Sequence, residues 1–242
     1  MPDGARSRTE EITQVLRDEI LRGQYRAGER LPSERDIATR FETSRGTVRE
    51  AYKKLEQLGI ASIQPGGARV VPVHECTLDV LGPLLELNDT PDLRLIDQVL
   101  GVGALLISYA AELAVERDDP DRLSSVEALL DEVLDAEPDD LVKMHVPRLL
   151  GRAFAEASDH LVLTLIVNGL RTQFPDPERT LGFPPKVDPD ALKVIATELK
   201  AAVRGRDAAR TGSLMKELIE LVRATLKDTL GTQEREVREA VS

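Results

Sequence analysis

Three arginines lie close together in residues 31–60, which read LPSERDIATRFETSRGTVREAYKKLEQLGI. Arg45 can donate two hydrogen bonds to O6 and N7 of a guanine, and Arg35 and Arg49 suit either a guanine or a phosphate. The absence of a side chain at Gly46 would let a helix approach base edges closely. The candidate DNA-contacting residues are therefore Arg35, Ser44, Arg45, Gly46, Thr47 and Arg49.

Two short helices must precede and position these side chains. Apolar residues recur at spacings of three and four over residues 12–20, which predicts a first helix that ends before Gly23. Ser33 is a predicted N-cap, and Asp36 stands at the third helical position, as in a capping box. A second helix is expected to run from there through Phe41.

A third helix is predicted to begin at Ser44 as its N-cap and to end at Gly59. Its apolar positions share one face, opposite the arginines, and are Val48, Ala51, Tyr52, Leu55 and Leu58. The stretch IASIQPGGARVVPV then favours two strands joined by a turn at residues 65–67. Three helices followed by a hairpin predict a winged helix-turn-helix.

Charge is divided unevenly along the chain, whose formal net charge is −11. Residues 1–73 hold 13 Lys and Arg against 11 Asp and Glu, whereas the remainder holds 19 against 32. A mildly basic head on an acidic body lets DNA approach in one orientation only. Cys76 is the single cysteine, so no internal disulfide or zinc finger is expected. With no signal peptide and no uninterrupted apolar run of about 18 residues, the sequence predicts a cytoplasmic protein without a membrane span.

The stretch from ILRGQYRAGERLPSER to SRGTVREAYKKLEQLGIASIQPGG resembles the winged-helix DNA-binding domain of GntR-type bacterial transcription regulators. The resemblance implies that Arg35, Arg45, Thr47 and Arg49 contact the operator and that the wing tip enters the minor groove. Pro65 stands where fatty-acid regulators of this family place a histidine. The resemblance therefore implies that Gly66, rather than Pro65, is the residue of the wing tip that contacts DNA.

The remainder of the chain favours helices alone, broken by Pro- and Asp-rich turns. Two segments, TLDVLGPLLELNDTPDLRLIDQVLGVGALLISYAAELA and RLLGRAFAEASDHLVLTLIVNGLRTQF, resemble the helical effector domain of the FadR/FCD subfamily. The predicted fold is mainly α, with a C-terminal all-α bundle for effector binding and dimerisation. The expected divisions are residues 1–73 (winged helix), 74–90 (linker and first effector-domain segment), 91–232 (effector domain) and 233–242 (charged tail).

Metal-binding members of that subfamily place an aspartate and histidines in the effector cavity. The corresponding positions here are Pro147, Gly151, Ala196 and Leu218, none of which can ligate a metal. The histidines that exist, His74, His145 and His160, are interpreted as surface or helix-end imidazoles. No metal and no other cofactor is therefore expected.

The first effector-domain helix also lacks the arginine that carboxylate-binding relatives carry there, since Gly103 and Ile107 occupy the arginine and glutamate positions. With Val99, these residues form an apolar face that is either plain core or a cavity wall. Gly151 and Leu218 complete the candidate effector site. We expect a cavity without imidazole, carboxylate or guanidinium groups, which disfavours sugar acids, citrate and lactate and favours a fatty-acid- or acyl-CoA-like molecule.

Together these patterns predict a homodimeric repressor that binds a palindromic operator and responds to an apolar effector. An alternative is a ligand-independent dimeric regulator whose helical domain is closed. An enzyme is disfavoured because no GxSxG, HExxH, Walker or GxGxxG motif occurs, and acidic pairs such as Asp118–Asp119 stand in Pro-flanked turns.

Overall fold

The computed structural model describes residues 7–88, 92–173 and 187–240. The chain divides into two compact units, residues 1–90 and 91–242. The N-terminal unit contains helices α1 (Arg8–Leu21), α2 (Glu34–Arg40), α3 (Arg45–Gln57) and α4 (Leu81–Leu85), and strands β1 (Ala61–Gln64) and β2 (Gly67–Val70). The described part of the C-terminal unit is helical throughout. The predicted fold class, a winged helix-turn-helix followed by an all-α domain, is confirmed.

Side-chain caps begin helices α1, α2 and α3 of the N-terminal unit. The Ser33 hydroxyl accepts a hydrogen bond from the backbone of Asp36, whose carboxylate accepts one from the Ser33 backbone, so the predicted capping box is present. The Ser44 hydroxyl caps α3 by accepting a hydrogen bond from the backbone of Thr47 at 3.1 Å. A further capping box at Ser7, which the sequence reasoning did not identify, begins α1.

The end of α3 requires a glycine. Gly59 has φ +74°, a left-handed conformation that places its N–H 2.9 Å from the carbonyl of Glu56. The N–H of Ile60 then donates to the carbonyl of Leu55 at 3.2 Å, which completes a Schellman-type ending with both apolar side chains buried. This ending turns the chain directly from α3 into β1.

The inner face of α3 packs into the core of the N-terminal unit. The Tyr52 hydroxyl donates to the carbonyl of Pro32, and burial raises the pKa of this phenol. The other buried residues that share this core include Ile12, Leu16, Ile20, Ile37, Val48, Ala51 and Leu55. Because these contacts hold one face of α3, the opposite face is left to solvent.

The wing is the predicted antiparallel hairpin. Gln64 pairs with Gly67, so Pro65 and Gly66 are the two turn residues. Gly66 has φ +104°, which suits a residue without a β-carbon. Outside the two strands, Arg30 forms an isolated antiparallel bridge with Arg69 and so extends the sheet by one backbone contact.

Residues 73–88, which fall mostly in the predicted linker and first effector-domain segment, belong to the N-terminal unit. Short 3₁₀ turns at Val73–Glu75 and Leu78–Val80 lead into α4. Val80 is buried in the same core as α1 and α3. The Arg22 guanidinium, at the end of α1, donates to the carbonyl of Leu87 at 2.8 Å, which attaches this segment to α1.

The C-terminal unit is built around two long helices, α5 and α11. Its elements are α5 (Leu93–Arg117), α6 (Pro120–Asp135), α7 (Pro138–Lys143), α8 (Val146–Ala157), α9 (Leu161–Gln173), α10 (Pro189–Arg204) and α11 (Ala208–Ala240). The core lies where α5, α6, α8, α10 and α11 meet, and its largest fully buried side chain is Phe154 of α8. The predicted charged tail continues α11 through Ala240, and residues 241–242 lie outside the described residues.

Small residues allow α5 and α11 to approach closely. A β-carbon at Gly212 would collide with the present position of the Glu112 side chain of α5, so the glycine leaves room for that side chain at the crossing point. The Ser108 hydroxyl donates to the Gly212 carbonyl at 2.7 Å. Toward the other end of the contact, Asp97 accepts hydrogen bonds from Lys227 and Arg223, which keep the pKa of this carboxyl below its usual value.

By length and composition alone, α5 could cross a membrane, since its most apolar 18-residue window has a mean hydropathy of 1.6. The sequence-based expectation considered uninterrupted apolar runs only and did not detect this helix. Ala104, Ala110, Ala111 and Ala114 are buried inside the C-terminal unit, so α5 acts as a central packing helix of a bundle.

Candidate nucleic-acid interface and effector cavity

The first two turns of α3 present the predicted DNA-contacting groups to solvent. Arg45, Gly46 and Arg49 are exposed, whereas Val48 between them is fully buried. The helical repeat of 3.6 residues produces this separation, because one face is committed to the core. The Ser44 and Thr47 side-chain oxygens lie 2.9 Å apart at the start of the helix, so the hydroxyl groups are already oriented.

Gly46 is not required by the interior of the protein. A β-carbon at this position would meet only the Ser44 hydroxyl oxygen, at an ordinary contact distance of 3.5 Å. The backbone of Gly46 is therefore open on its outer side. An open backbone at this position suits close approach to a duplex.

Glu34 connects α2 to the recognition face. Its carboxylate accepts two hydrogen bonds from the Arg49 guanidinium, both at 2.9 Å. The hydrogen bond from Arg49 lowers the pKa of Glu34, and the charge of the nearby Arg45 adds to this effect. The bidentate pair places the first turn of α2, with the exposed Arg35, beside α3. Sequence reasoning missed Glu34, although the LPSER motif contains it.

The wing adds two further guanidinium groups that the sequence reasoning missed. Arg69 is exposed on β2 and donates to the carbonyl of Gly28 at 2.9 Å. The Arg30 side chain lies across Gly67, where an added β-carbon would approach its Nε to 2.9 Å. Gly66 itself has no neighbour within 4 Å of such a position, so the wing tip is open to a partner.

A cavity of about 190 Å³ lies within the C-terminal unit. Four of the five predicted effector residues line it together, namely Val99, Gly103, Ile107 and Gly151. The fifth, Leu218, is buried in the helical core instead, and Ile219 and Val222 of α11 line the cavity. Leu218 and Ile219 are adjacent in sequence, and a step of one residue turns a helix by about 100°, which is enough to move a side chain from the cavity wall into the core.

Gly151 of α8 faces Ile107 of α5 on this wall. A β-carbon at Gly151 would lie 2.8 Å from Cδ1 of Ile107, so the glycine makes room for this side chain. Buried apolar residues from α7, α8, α10 and α11 complete the inner wall, among them Leu141, Val146, Leu192 and Ile219.

The expected absence of charged groups from the cavity is wrong. The lining includes His145, Arg148, Arg152, Glu156 and Arg171. These residues lie on α8 and α9 or just before α8, whereas the prediction considered α5 and the four metal positions. His145, interpreted as a surface or helix-end imidazole, precedes α8 with φ 48° and faces the cavity.

Two of the four positions at which related proteins hold a metal, Pro147 and Gly151, line the cavity, while Ala196 and Leu218 are core residues. Within residues 7–88, 92–173 and 187–240, no group of three or more His, Cys, Asp or Glu side chains is placed to hold a metal ion. His74 is largely exposed, and His160 caps α9 by accepting a hydrogen bond from the backbone of Leu163 at 3.2 Å.

Comparison with known proteins identifies both units. A family model described as "Bacterial regulatory proteins, gntR family" matches residues 8–71, and the FCD domain model matches residues 99–221, which is more than half of the chain.

Two curated relatives and one solved structure illustrate these similarities. The HTH-type transcriptional regulator Mce2R of Mycobacterium tuberculosis is 28% identical over 236 residues, which cover 96% of this chain and 97% of Mce2R. The galactonate operon transcriptional repressor of Escherichia coli is 32% identical over 132 residues, 53% of this chain and 57% of the repressor. A solved structure of Lar, described as controlling the Listeria monocytogenes agr system, matches with a TM-score of 0.55 at 12% identity, covering 93% of this chain and 99% of Lar. That last likeness concerns the fold alone.

Proposed function

Because this chain belongs to the GntR family of bacterial regulatory proteins and carries an FCD domain, we propose that it is a homodimeric repressor released from its operator by an apolar effector. The exposed Arg45, with the open backbone of Gly46 beside it, supports base contacts in the major groove. Arg35, Thr47, Arg49 and the wing tip at Gly66 supply the surrounding contacts. The name of the galactonate operon repressor supports repression as the sign of regulation.

Dimerisation follows from the requirements of operator binding. Two recognition helices that reach successive major grooves must be about 34 Å apart on one face of the duplex, and a two-fold dimer matches a palindrome. A single winged helix offers too few contacts for nanomolar affinity. A regulator of this kind acts in the cytoplasm, where the DNA is.

Exposed apolar residues of the C-terminal unit offer a contact surface for a second copy. Exposed apolar residues lie on two helices that pack against each other: Val102, Leu105 and Tyr109 on α5, and Leu161, Val162, Leu165 and Ile166 on α9. Residues 74–242 hold 19 basic against 32 acidic side chains, so two copies repel each other wherever charged faces meet. We therefore propose that the exposed apolar residues of α5 and α9 form the contact between the two copies.

We expect Leu165→Glu to convert the dimer to a monomer at micromolar concentration, because each interface would then bury two unpaired carboxylates. Sedimentation velocity measures the change. Val194→Glu is a matched control, since Val194 is equally exposed but lies on α10. A Leu165→Glu protein that remains dimeric would place the dimer interface elsewhere.

The cavity supports an effector-responsive domain over the closed domain of the ligand-independent alternative. A protein cavity of about 150 Å³ holds benzene, so about 190 Å³ suits an apolar chain of about seven or eight carbons. That size favours the acyl portion of a medium-chain fatty acid or acyl thioester. Long-chain molecules would extend beyond it.

We expect octanoate to raise the melting temperature and to weaken operator binding. A ligand at 100 times its Kd stabilises the native state by about 2.7 kcal/mol, which corresponds to about 5 to 10 °C for a domain of this size. Differential scanning fluorimetry measures the first effect, and titration of a fluorescent operator duplex selected in vitro measures the second. Specific operator binding with no response to octanoate, octanoyl-CoA or 1-octanol would support the ligand-independent alternative.

A further inference from the structure

The apolar part of such an effector is too small to explain tight binding alone. Burying about seven methylene groups contributes about 5 to 6 kcal/mol before the entropic cost of association is subtracted. Micromolar affinity requires about 8 kcal/mol. The polar end of the effector must therefore bind the protein, and the charged lining residues show where it can do so.

The charged side chains occupy the outer part of the cavity. Arg148, Arg152 and Glu156 follow one another at intervals of four on α8 and so share one face of that helix. Arg171 of α9 lines the same cavity. Arg152, Glu156 and Arg171 are exposed, whereas the apolar wall includes buried residues such as Leu192. The cavity thus has a charged rim and an apolar interior.

Among the lining residues that the structure describes, the rim carries three guanidinium groups, those of Arg148, Arg152 and Arg171, and the carboxylate of Glu156. Glu156 pairs with Arg152 at 2.7 Å, and both side chains are more than half exposed. An ion pair this exposed contributes little stability, so a competing carboxylate can exchange with it at small cost. Among the residues that the structure describes, Arg171 has no ion-pair partner.

We infer that the effector is an amphipathic monocarboxylate whose head binds Arg152 and Arg171 and whose chain of about seven or eight carbons enters the apolar interior. This inference rests on the proposed function. Glu156 forms an ion pair with Arg152 when the effector is absent, and the carboxylate of the effector displaces Glu156 from this pair. Carboxylate-binding relatives carry an arginine on their first effector-domain helix, at the position of Gly103 in α5. In this protein Arg152 of α8 and Arg171 of α9 take the place of that arginine.

Other ligand classes fit this arrangement less well. A sugar acid or citrate would pair with the arginines but would place hydroxyl or carboxylate groups against the buried apolar wall, without hydrogen-bond partners there. A neutral alcohol or alkane would fill the interior but leave the guanidinium groups without a new partner. An acyl thioester has no carboxylate at the corresponding position.

The test uses the full-length protein and three eight-carbon probes, octanoate, 1-octanol and octanoyl-CoA, with affinities measured by isothermal titration calorimetry. We expect octanoate to bind at least tenfold more tightly than the other two. Arg152→Gln and Arg171→Gln should each weaken octanoate about tenfold without an equal loss for 1-octanol, since each removes a charged hydrogen-bond donor. Glu156→Gln should tighten octanoate binding, because it removes the competing charge.

Arg204→Gln is the matched control. Arg204 pairs with Glu127 at 3.0 Å on the exposed surface of the same unit and does not line the cavity, so octanoate affinity should be unchanged. Equal affinity for octanoate and 1-octanol, equal losses for both in the arginine variants, or preference for octanoyl-CoA would overturn the carboxylate assignment while leaving the apolar effector in place. Absence of binding by all three probes would overturn both proposals.

Discussion

Replacement of Arg45 by alanine is expected to lower operator affinity by about 30-fold to 20,000-fold and to leave the fold intact. Each bidentate guanine contact contributes about 1 to 3 kcal/mol of discrimination, and a symmetric dimer loses two of them. Arg45 is exposed at the start of α3 and makes no contact with the core, so the melting temperature should change little. Fluorescence anisotropy with the selected operator and with a scrambled duplex measures the loss of specificity.

Arg17→Ala provides the control for lost charge alone. Arg17 lies on α1, outside the predicted DNA-contacting residues of α3 and the wing, and pairs with Asp18 at 2.7 Å. Its replacement should leave the ratio of specific to nonspecific affinity unchanged. If Arg45→Ala binds the operator as the parent does, another element occupies the major groove.

Operator binding is expected to weaken about 10⁵-fold when the salt concentration rises tenfold. If each subunit neutralises about three phosphates, counterion release sets a slope on the order of −5 in a plot of log affinity against log salt. Arg30, Arg35 and Arg69 are the exposed guanidinium groups of α2 and the wing that can make such contacts. Anisotropy titrations at a series of potassium chloride concentrations measure the slope.

Arg35→Gln should reduce the magnitude of that slope by about two, since a dimer loses two phosphate contacts. The same substitution should weaken specific and nonspecific binding alike, unlike Arg45→Ala, because a phosphate contact carries no base information. A slope near zero for the unmodified protein would contradict the assigned DNA-binding face.

Arg45 and Arg49, both on the exposed face of α3, differ in how strongly neighbouring groups restrict the orientation of their side chains. Arg49 is held by two hydrogen bonds to Glu34, which leaves part of its guanidinium for DNA and restricts its orientation. The Arg45 side chain is exposed at the start of α3 and forms no ion pair with another residue in the part of the chain that the structure describes. Glu34 thus positions the guanidinium of Arg49 on the exposed face of α3. Arg45 is a better candidate for base recognition than Arg49.

The amino-acid sequence by itself determined the local structure of the N-terminal unit. Ser33 and Ser44 cap helices through hydrogen bonds within four residues, and Gly59 ends α3 because a left-handed residue is needed at that point. The wing follows equally from Pro65 and Gly66 between two β-favouring stretches. The groups that form these caps and turns lie within a few residues of one another, so a short stretch of sequence is enough to predict each of them.

Only the tertiary structure decided the character of the effector cavity. Arg152 and Arg171 belong to different helices, and no local pattern shows that both line one cavity with Ile107 of α5. The sequence predicted four lining residues on α5 and α8 but assigned Leu218 in place of Ile219, because helix rotation about its own axis is set by packing partners distant in sequence. The charge of the rim depends on the same long-range packing, which is why a cavity expected to be uncharged carries three arginines.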